Sequence, residues 1–221
     1  MRGEEERADH DIGPRMGQRP MATTLARIAG RDLEYVPGDY FRTMEMGEVF
    51  GREGRLEVDL GCGDGSFLVA TALRYPERNY LGTERLMGRV RNTCRKAARA
   101  GVTNVRLLRV ESGYVVKHLL APGTVSRFYV LFPDPWPKRR HWPRRLIQPE
   151  FLQAAAAALT PGGELCIKTD DADYFEYIEK TAARCELFAR EAWEEDVPPT
   201  DFERHYAAEG RRIYSMRLSR R

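Results

Sequence analysis

Short apolar runs alternate with longer amphipathic segments from about residue 56 onward, and this alternation is the strongest constraint on the fold. Apolar runs of about 4–8 residues between turn residues are typical of buried strands, whereas apolar positions at helical spacing indicate helices. The predicted strands are Leu56–Leu60, Asn79–Thr83, Val105–Val110, Arg127–Phe132, Glu164–Lys168, Leu187–Ala189 and Ile213–Leu218. The predicted helices span about Ser66–Tyr75, Leu86–Ala100, Pro149–Leu159 and Ala172–Arg184.

Repeated βα units of this length predict an α/β fold with a mostly parallel seven-stranded sheet and helices on both faces. The last two strands are joined by a longer connection, and one of them is expected to be an antiparallel strand at the edge of the sheet. In sheets of this kind, ligands bind beyond the carboxyl ends of the strands. The residues that follow each strand are therefore the candidates for a functional site.

The length of 221 residues suits one domain with a short appendage. Residues 1–20 are charged and lack a long apolar run, so we predict a flexible tail rather than a secretory signal, followed by a single domain over residues 21–221. Residues 21–50 are predicted to be helical at both ends and interrupted near Pro37 and Gly38. No run approaches the ~18–20 apolar residues of a membrane span, and we expect a cytoplasmic protein, either a monomer or a homodimer.

Cysteine and histidine are dispersed along the chain, and no C-x-x-C pair occurs. Closely spaced cysteines and histidines are the usual sign of a zinc site, and paired cysteines of a disulfide framework. We therefore expect neither of these, and no metal. The dispersed residues are Cys62, Cys94, Cys166, Cys185, His10, His118, His141 and His205.

A glycine loop, DLGCGDG at residues 59–65, follows the first predicted strand. Glycines let the backbone turn tightly and let a ligand lie against bare main chain. The loop departs from the dinucleotide fingerprint because Ser66 stands where the third glycine belongs. Asp59, just before the loop, would repel a pyrophosphate but attract the ammonium group of an amino-acid moiety.

Two further acids follow the next two strands. Glu84 lies about 20 residues past the loop, where an acid can hydrogen-bond ribose hydroxyls, and Glu111 is suited to an adenine amino group. Each acid alone could be a helix N-cap or a surface charge. Together with Asp59 they match the ammonium, ribose and adenine of S-adenosylmethionine better than they match NAD. The predicted cofactor site is Asp59, Gly61, Gly63, Glu84 and Glu111.

The fourth predicted strand leads into FPDPWPK, residues 132–138, and then into a basic cluster that ends at Arg145. Three prolines in six residues make the loop rigid, because each fixes its own φ. A rigid loop with an acid and an aromatic residue is suited to holding a base, and cations beside aromatics are typical of phosphate binding. The alternatives are a stiff turn around a packed tryptophan and a solvated charged loop.

These segments resemble the bacterial tRNA (guanine-N7)-methyltransferases, a family of class I S-adenosylmethionine-dependent enzymes with a Rossmann-like fold. The resemblance covers roughly Leu56 to Ile213. It is carried by the segments DLGCGDG, GTER, FPDPWPKRRHWPRRL, KTD and TDFERHYAAEGRRIY. It implies a tRNA substrate, with methylation of the variable-loop guanine at tRNA position 46.

The resemblance also implies roles for individual residues. Asp134 would lie against the cofactor with Asp59, Glu84 and Glu111, and is the leading catalytic candidate. The residues implied to bind the guanine are Lys138, Asp170, Thr200, Asp201, Phe202 and Glu203. The arginines expected to hold the RNA backbone are Arg139, Arg140, Arg144 and Arg145.

Guanine N7 has a free lone pair and no proton, so methyl transfer to it requires no general base. Asp134 or Asp170 could accept hydrogen bonds from guanine N1–H and the exocyclic amine while offsetting the cationic product. Glu203 could face the nucleotide, or it could brace the loop by pairing with Arg204 or Arg211. Thr200 is also predicted to cap a helix.

Three other functions remain open from the sequence. An exocyclic-amino methyltransferase is the nearest, because Asp134-Pro135-Trp136 is close to the Asp/Asn-Pro-Pro-aromatic loop of those enzymes. A catalytically dead nucleic-acid-binding module is less consistent with the sequence, since the glycines and strand-end acids are all present. An NAD-dependent oxidoreductase lacks an evident hydride-transfer acid.

Overall fold

The computed structural model describes residues 33–193 and 197–221, and the predicted tail at residues 1–20 lies outside them. The first part of the mixed segment, up to residue 32, also lies outside. The strands are β1 Leu56–Leu60, β2 Asn79–Thr83, β3 Val105–Leu108, β4 Val125–Leu131, β5 Leu159–Thr169, β6 Phe188–Glu191 and β7 Tyr214–Arg220. The α-helices are α1 Met46–Phe50, α2 Ser66–Arg74, α3 Met87–Ala100, α4 Ser112–Tyr114, α5 Pro149–Ala158, α6 Ala172–Ala183 and α7 Asp201–Ala208.

The strands form one seven-stranded sheet in the order β3-β2-β1-β4-β5-β7-β6. The five strands from β3 to β5 in this order are parallel, and β7 runs antiparallel to both β5 and β6. The predicted mostly parallel sheet with an antiparallel strand toward one edge is confirmed. The antiparallel strand is β7, and β6 lies outside it at the edge. The strand order reverses between β1 and β4, so their carboxyl ends form the switch point where ligands bind in such sheets.

The strand and helix boundaries agree with the sequence predictions to within about two residues, except at the start of β5. The prediction began this strand at Glu164, after a Thr-Pro-Gly-Gly turn. In the structure β5 begins at Leu159, which pairs with Val125, and the next pair is Arg127 with Glu164. Residues 160–163 therefore bulge out opposite one residue of β4, and Gly162 has a φ of 70° there.

The two faces of the sheet differ in polarity. Leu56, Val58 and Leu60 alternate along β1 and contribute to the larger apolar cluster, which also contains buried residues of α5 and α6. Glu57 and Asp59 occupy the intervening positions of β1, and both are buried. A second cluster packs α2 and α3 against the other face. No helix in the described part of the chain is long and apolar enough to cross a membrane.

Hydrogen-bonded charged groups cross the polar face from strand to strand. The Tyr129 hydroxyl donates to Glu57 Oε2 (2.8 Å), and Arg78 Nη1 donates to Glu57 Oε1 (2.9 Å). Burial and the Glu57 charge raise the pKa of Tyr129 well above its usual range, so the hydroxyl remains a donor. Glu164 in β5 pairs with Arg127 and with Arg217. These contacts satisfy polar groups that would otherwise be costly to bury.

Candidate active site

The glycine loop leaves the end of β1 and is hydrogen-bonded to β2. The amides of Gly61 and Cys62 donate to the carbonyl of Thr83 at 3.1 Å and 2.8 Å. Gly61 has a φ of 86°, and a Cβ built on it would meet no atom within 4 Å. Gly65 has a φ of 76°, and a Cβ there would lie 2.2 Å from a side-chain carbon of Thr93 in α3. Gly65 therefore permits close helix packing, whereas Gly61 opens onto free space above the loop.

Asp59 is buried directly beneath this loop. It lines a small cavity of about 50 Å³ together with Gly61, Gly63 and residues of α7. Burial, with the nearby charges of Asp64 and Glu84, raises the pKa of Asp59 to about 7. Within the described residues, no donor hydrogen-bonds to its carboxylate. A buried acid with these surroundings is suited to bind a cationic group.

A larger cavity of about 630 Å³ adjoins the small one. The two cavities share Gly61, Leu131 and Phe132 in their walls. Glu84, Glu111 and Asp134 all line the larger cavity. The structure thus brings the acids at the carboxyl ends of β1, β2, β3 and β4 around one cleft at the edge of the sheet.

Glu84 and Glu111 are both oriented by backbone amides. Glu84 Oε1 accepts from the amides of Arg85 (2.7 Å) and Leu86 (2.9 Å). The two carboxylate oxygens of Glu111 accept from the amides of Gly113 (2.9 Å) and Tyr114 (2.8 Å), so Glu111 is the N-cap of α4. Carboxylate oxygens have further acceptor capacity. These hydrogen bonds fix both side chains at the cleft, and their ribose and adenine contacts remain predictions.

The loop after β4 is backbone-strained as well as proline-rich. Phe132 and Trp136 have φ values of 55° and 46°, which non-glycine residues rarely adopt. Such conformations cost on the order of 1–3 kcal/mol each and cluster at functional sites. The Phe132 amide donates to the Lys168 carbonyl at 2.8 Å. Asp134 stands exposed between the two strained residues, and no described residue hydrogen-bonds to its side chain.

The basic cluster divides into an exposed part and one buried arginine. Arg139–Arg144 form a short 3₁₀ helix that begins directly after Lys138. Lys138, Arg139, Arg140 and Arg144 are exposed, and the guanidinium of Arg144 lies 5.1 Å from the ring centre of Trp136. These four cations are accessible to a ligand, and Arg144 also lines the larger cavity.

The position of Arg145 in the structure contradicts the prediction that this residue holds an RNA phosphate. Its side chain is only 3% exposed, and its guanidinium lies 4.7–4.9 Å from the ring centres of Trp142, Tyr174 and Tyr177. Its Nε donates to the Pro135 carbonyl at 2.8 Å. Arg145 therefore packs beneath the strained loop, in a position from which it cannot reach a phosphate.

A buried ion pair attaches α7 to the sheet. Lys168, near the end of β5, is 1% exposed, and its ammonium group pairs with Glu203. The second oxygen of Glu203 accepts from the Thr200 amide at 2.7 Å, while the Thr200 hydroxyl accepts from the Glu203 amide at 3.0 Å. This reciprocal capping box confirms Thr200 as the helix cap. Glu203 braces the segment, but its partner is Lys168 and not Arg204 or Arg211 as predicted.

Two other residues of α7 contact the site directly. Asp201 lies 2.7 Å from the Ser66 hydroxyl, at the start of the helix that follows the glycine loop. This hydrogen bond and the ion pair with Arg204 lower the pKa of Asp201. Phe202 is 55% exposed, and its ring centre lies 5.6 Å from that of Phe132. The first turn of α7 therefore closes the side of the cleft next to Asp59.

Asp170 lies outside both cavities and already has a cationic partner. Its carboxylate pairs with Arg211 at 2.5 Å, and the Arg211 guanidinium lies 4.1 Å from the ring centre of Tyr206. Asp170 is thus paired with an arginine in the segment that follows α7. Of the two aspartates considered for holding the guanine, only Asp134 faces the cleft without a protein partner in the described chain.

Sequence reasoning missed several residues of the site. Trp136 and Ser112 line the larger cavity, and Arg85 and Arg89 lie at its margin. Lys168 was missed as the partner of Glu203, although a lysine between Ile167 and Thr169 in an apolar strand was an available signal. No group of three or more histidine, cysteine, aspartate or glutamate residues within the described ranges could hold a metal ion.

Comparison with known proteins identifies the family. Residues 53–216 match the model of a family described as "Putative methyltransferase". The chain is 37% identical over 180 residues to the tRNA (guanine-N(7)-)-methyltransferase of Halorhodospira halophila, and the match covers 78% of each protein. A relative of the same name from Alkalilimnicola ehrlichii is 32% identical over 188 residues, with 80% of this chain and 78% of that protein covered. The chain belongs to the tRNA (guanine-N7)-methyltransferase family.

A third relative of that name, from Syntrophotalea carbinolica, is 41% identical over 130 residues. This match covers 59% of the present chain and 56% of the relative, so the chain spans only about half the length of that protein. Family membership confirms the predicted class of enzyme, a methyltransferase, and its cofactor, S-adenosylmethionine.

Solved structures confirm the Rossmann-like methyltransferase fold. An aminoglycoside resistance methyltransferase superposes with a TM-score of 0.55 at 17% identity, covering 80% of this chain and 92% of that one. A SAM-dependent O-methyltransferase from Thermotoga maritima gives a TM-score of 0.54 at 14% identity, with coverages of 79% and 63%. At these identities the likeness concerns the fold alone.

Cofactor affinity is expected to fall as the pH is lowered below 7. Asp59 is predicted to face the ammonium group of the cofactor in its charged form, and burial raises the pKa of this acid to about 7. Below that pH, binding must release the proton, so the affinity falls by up to about tenfold per pH unit. Isothermal calorimetry with S-adenosylmethionine between pH 5.5 and 7.5 measures this slope.

The matched control is Asp59→Asn, which is expected to bind weakly with no pH slope in the same range. A wild-type affinity that is constant from pH 5.5 to 7.5 would contradict the assignment of Asp59 as the carboxylate facing the ammonium group.

Substitution of Arg145 is expected to destabilise the fold, unlike substitution of the neighbouring Arg144. Arg145→Lys retains the charge but loses the planar group that stacks among three rings and the Nε donor to Pro135. We expect a loss of about 2–3 kcal/mol in the free energy of unfolding, against less than about 0.5 for Arg144→Lys. Urea denaturation measures both, and equal small losses would show that Arg145 does not support the loop.

Proposed function

We propose that this chain transfers the methyl group of S-adenosylmethionine to N7 of a guanine in tRNA, at the variable-loop position 46. One observation carries the proposal. A strained, proline-rich loop presents Asp134 to the cleft that also contains Asp59, and it continues directly into exposed cations. In this proposal a cofactor site, an acid for the base and a phosphate-binding surface would lie side by side. The names of the relatives, tRNA (guanine-N(7)-)-methyltransferase, support the same substrate.

The residues around the cleft fit S-adenosylmethionine in charge and hydrogen-bonding type. Asp59 is a buried acid to which no described residue donates a hydrogen bond, and it would hold the ammonium group of the methionine moiety. Glu84 and Glu111 are fixed by backbone amides, and they would accept from the ribose hydroxyls and the adenine amino group. Gly61 and Gly63 would let the ligand approach the main chain. When bound, the cofactor supplies an electrophilic methyl group on a sulfonium.

The contribution of the protein to methyl transfer is to align guanine N7 and to balance the charge that moves onto the base. Orientation of this kind can contribute several kcal/mol, up to ~7–11 in favourable cases. Asp134 would accept from guanine N1–H and the exocyclic amine, which holds the base and offsets its developing positive charge. Asp134 is favoured over Asp170 because Asp170 is paired with Arg211. No residue is required to remove a proton from N7.

The remaining substrate contacts divide between the two sides of the cleft. Lys138, Arg139, Arg140 and Arg144 would hold phosphates or guanine O6, because an arginine on N7 would block the reacting atom. Phe202 is exposed beside Phe132 and would pack against the base or the ribose. Thr200 and Glu203 would act by fixing α7. An enzyme with this substrate would work in the cytoplasm, where tRNA is found.

Unmodified tRNA transcripts provide the main test. The protein with S-adenosylmethionine is expected to methylate a transcript with guanine in the variable loop, and a transcript with that guanine replaced by adenine is expected to remain unmodified. Nuclease digestion and mass spectrometry identify the product as 7-methylguanosine. An exocyclic methylated base would instead assign an amino methyltransferase, and equal activity on both transcripts would refute the position.

Substitution of Asp134 separates catalysis from binding. Asp134→Asn is expected to lower kcat by about 100-fold or more, since a neutral amide neither accepts as strongly nor offsets the developing charge. The Kd for tRNA is expected to change by less than about threefold, because phosphates dominate that affinity. Single-turnover kinetics and fluorescence anisotropy measure the two quantities, and near-normal turnover would remove Asp134 from the mechanism.

A further inference from the structure

All the charged side chains of α3 are basic. The helix contains no acid between Met87 and Ala100. At 100° per residue, the buried positions occupy one side of the helix, and the cations occupy roughly 160° of the other. The buried residues are Val90, Thr93, Cys94 and Ala97. The cations are Arg89, Arg91, Arg95, Lys96 and Arg99.

Three of these cations lack an acidic partner within the described residues. Arg91 and Arg99 pair with no carboxylate, and Arg95 bonds only to the side-chain oxygen of Asn92. By contrast, exposed cations on two other helices do have acidic partners. Lys180 pairs with Glu176 on α6, and Arg204 pairs with Asp201 on α7.

The row Arg91, Arg95 and Arg99 is unfavourable for the helix by itself. These residues are spaced four apart, so like charges lie side by side along the surface, which weakens a helix by about as much as an ion pair stabilises it. Arg99 lies in the last turn, where a cation is favoured by the helix dipole. The dipole does not account for Arg91, which lies in the first half of the helix. An external polyanion would offset the repulsion.

The basic face of α3 begins at the cleft. Arg85 and Arg89, at the start of α3, line the same cavity as Trp136 and Arg144 on the opposite side. From there α3 runs toward the amino edge of the sheet, and the distance along the helix from Arg91 to Arg99 is ~12 Å. A nucleic-acid double helix carries a phosphate charge roughly every 2 Å of its axis, so this face can oppose several phosphates.

We propose that the solvent face of α3, defined by Arg91, Arg95 and Arg99, is a second phosphate-binding surface that holds the body of the tRNA outside the methylation cleft. The proposal rests on the proposed function, because it assigns a surface for the same substrate. The loop cations Lys138 to Arg144 hold one side of the methylated nucleotide, and α3 holds the backbone on the other side. The α3 arginines contribute to affinity for the whole tRNA and not to the chemical step.

The test measures tRNA affinity as a function of salt concentration for the full chain and three triple variants. Arg91→Gln/Arg95→Gln/Arg99→Gln removes the α3 charges, and the corresponding Arg→Lys variant retains them. Arg74→Gln/Arg184→Gln/Arg221→Gln is the matched control, since these exposed arginines lie at the ends of α2, α6 and β7, at the amino edge of the sheet. Fluorescence anisotropy gives Kd, and steady-state methylation gives kcat and KM.

The α3 glutamine variant is expected to bind tRNA about tenfold more weakly at 0.15 M salt, with the slope of log K against log salt reduced by about two to three. Its KM for tRNA should rise while kcat at saturating tRNA stays within about twofold of wild type. The lysine variant and the control should retain the wild-type slope. Arg91→Gln alone, with a slope reduced by about one, keeps the test valid if the triple variant folds poorly.

An unchanged slope and KM in the glutamine variants would overturn the proposal while leaving the proposed function intact. A parallel measurement with anionic phospholipid vesicles addresses the other polyanion. Loss of vesicle binding with unchanged tRNA affinity would assign the face to a membrane surface and equally overturn the proposal. If the wild-type chain neither bound nor methylated tRNA, the proposed function would fail first, and the α3 assignment with it.

Discussion

Lys168 enters the interior of the protein near the end of β5, and Glu203 reaches it from the first turn of α7. Removal of Lys168 would leave the buried Glu203 carboxylate without its cationic partner, at a cost of about 3–5 kcal/mol. Glu203 also closes the capping box of α7, so one side chain fixes both the start and the position of this helix. Asp201 and Phe202 reach Ser66 and Phe132 only because this turn is held in place. The cleft therefore depends on a contact that does not itself line either cavity.

The difference between the two faces of the sheet explains how a stable fold can carry so many charges near its site. One face is apolar and packs against α5 and α6. The other carries Glu57, Asp59 and Lys168 among tyrosine and arginine side chains. Most of these groups are paired within the protein, as Glu57 is with Tyr129 and Arg78. Among the described residues Asp59 is the exception, and its burial raises its pKa to about 7.

Local patterns in the sequence were sufficient for the strands, the glycine loop and the strand-end acids, because parallel strands bring their carboxyl ends to one edge whatever the details of packing. They were insufficient wherever a side chain's role depends on distant partners. Arg144 and Arg145 are adjacent residues of the same type, which local patterns do not distinguish. Arg144 is exposed, whereas Arg145 is enclosed by three aromatic rings. Glu203 was predicted either to face the nucleotide or to pair with a nearby arginine, and in the structure it pairs with Lys168, 35 positions away. Glu111 has the capping role that a single acid after a strand often has.

The position of β7 in the sheet has a consequence for the order in which the protein is completed during synthesis. The strands β1 to β4 and the acids that follow them are available once about 135 residues have formed, and domains generally fold as the chain emerges. The helix that closes the cleft lies beyond residue 200, and β7 must still insert between β5 and β6. A nascent chain thus forms the sheet edge that carries Asp59, Glu84, Glu111 and Asp134 before the helix that closes the cleft has been synthesised.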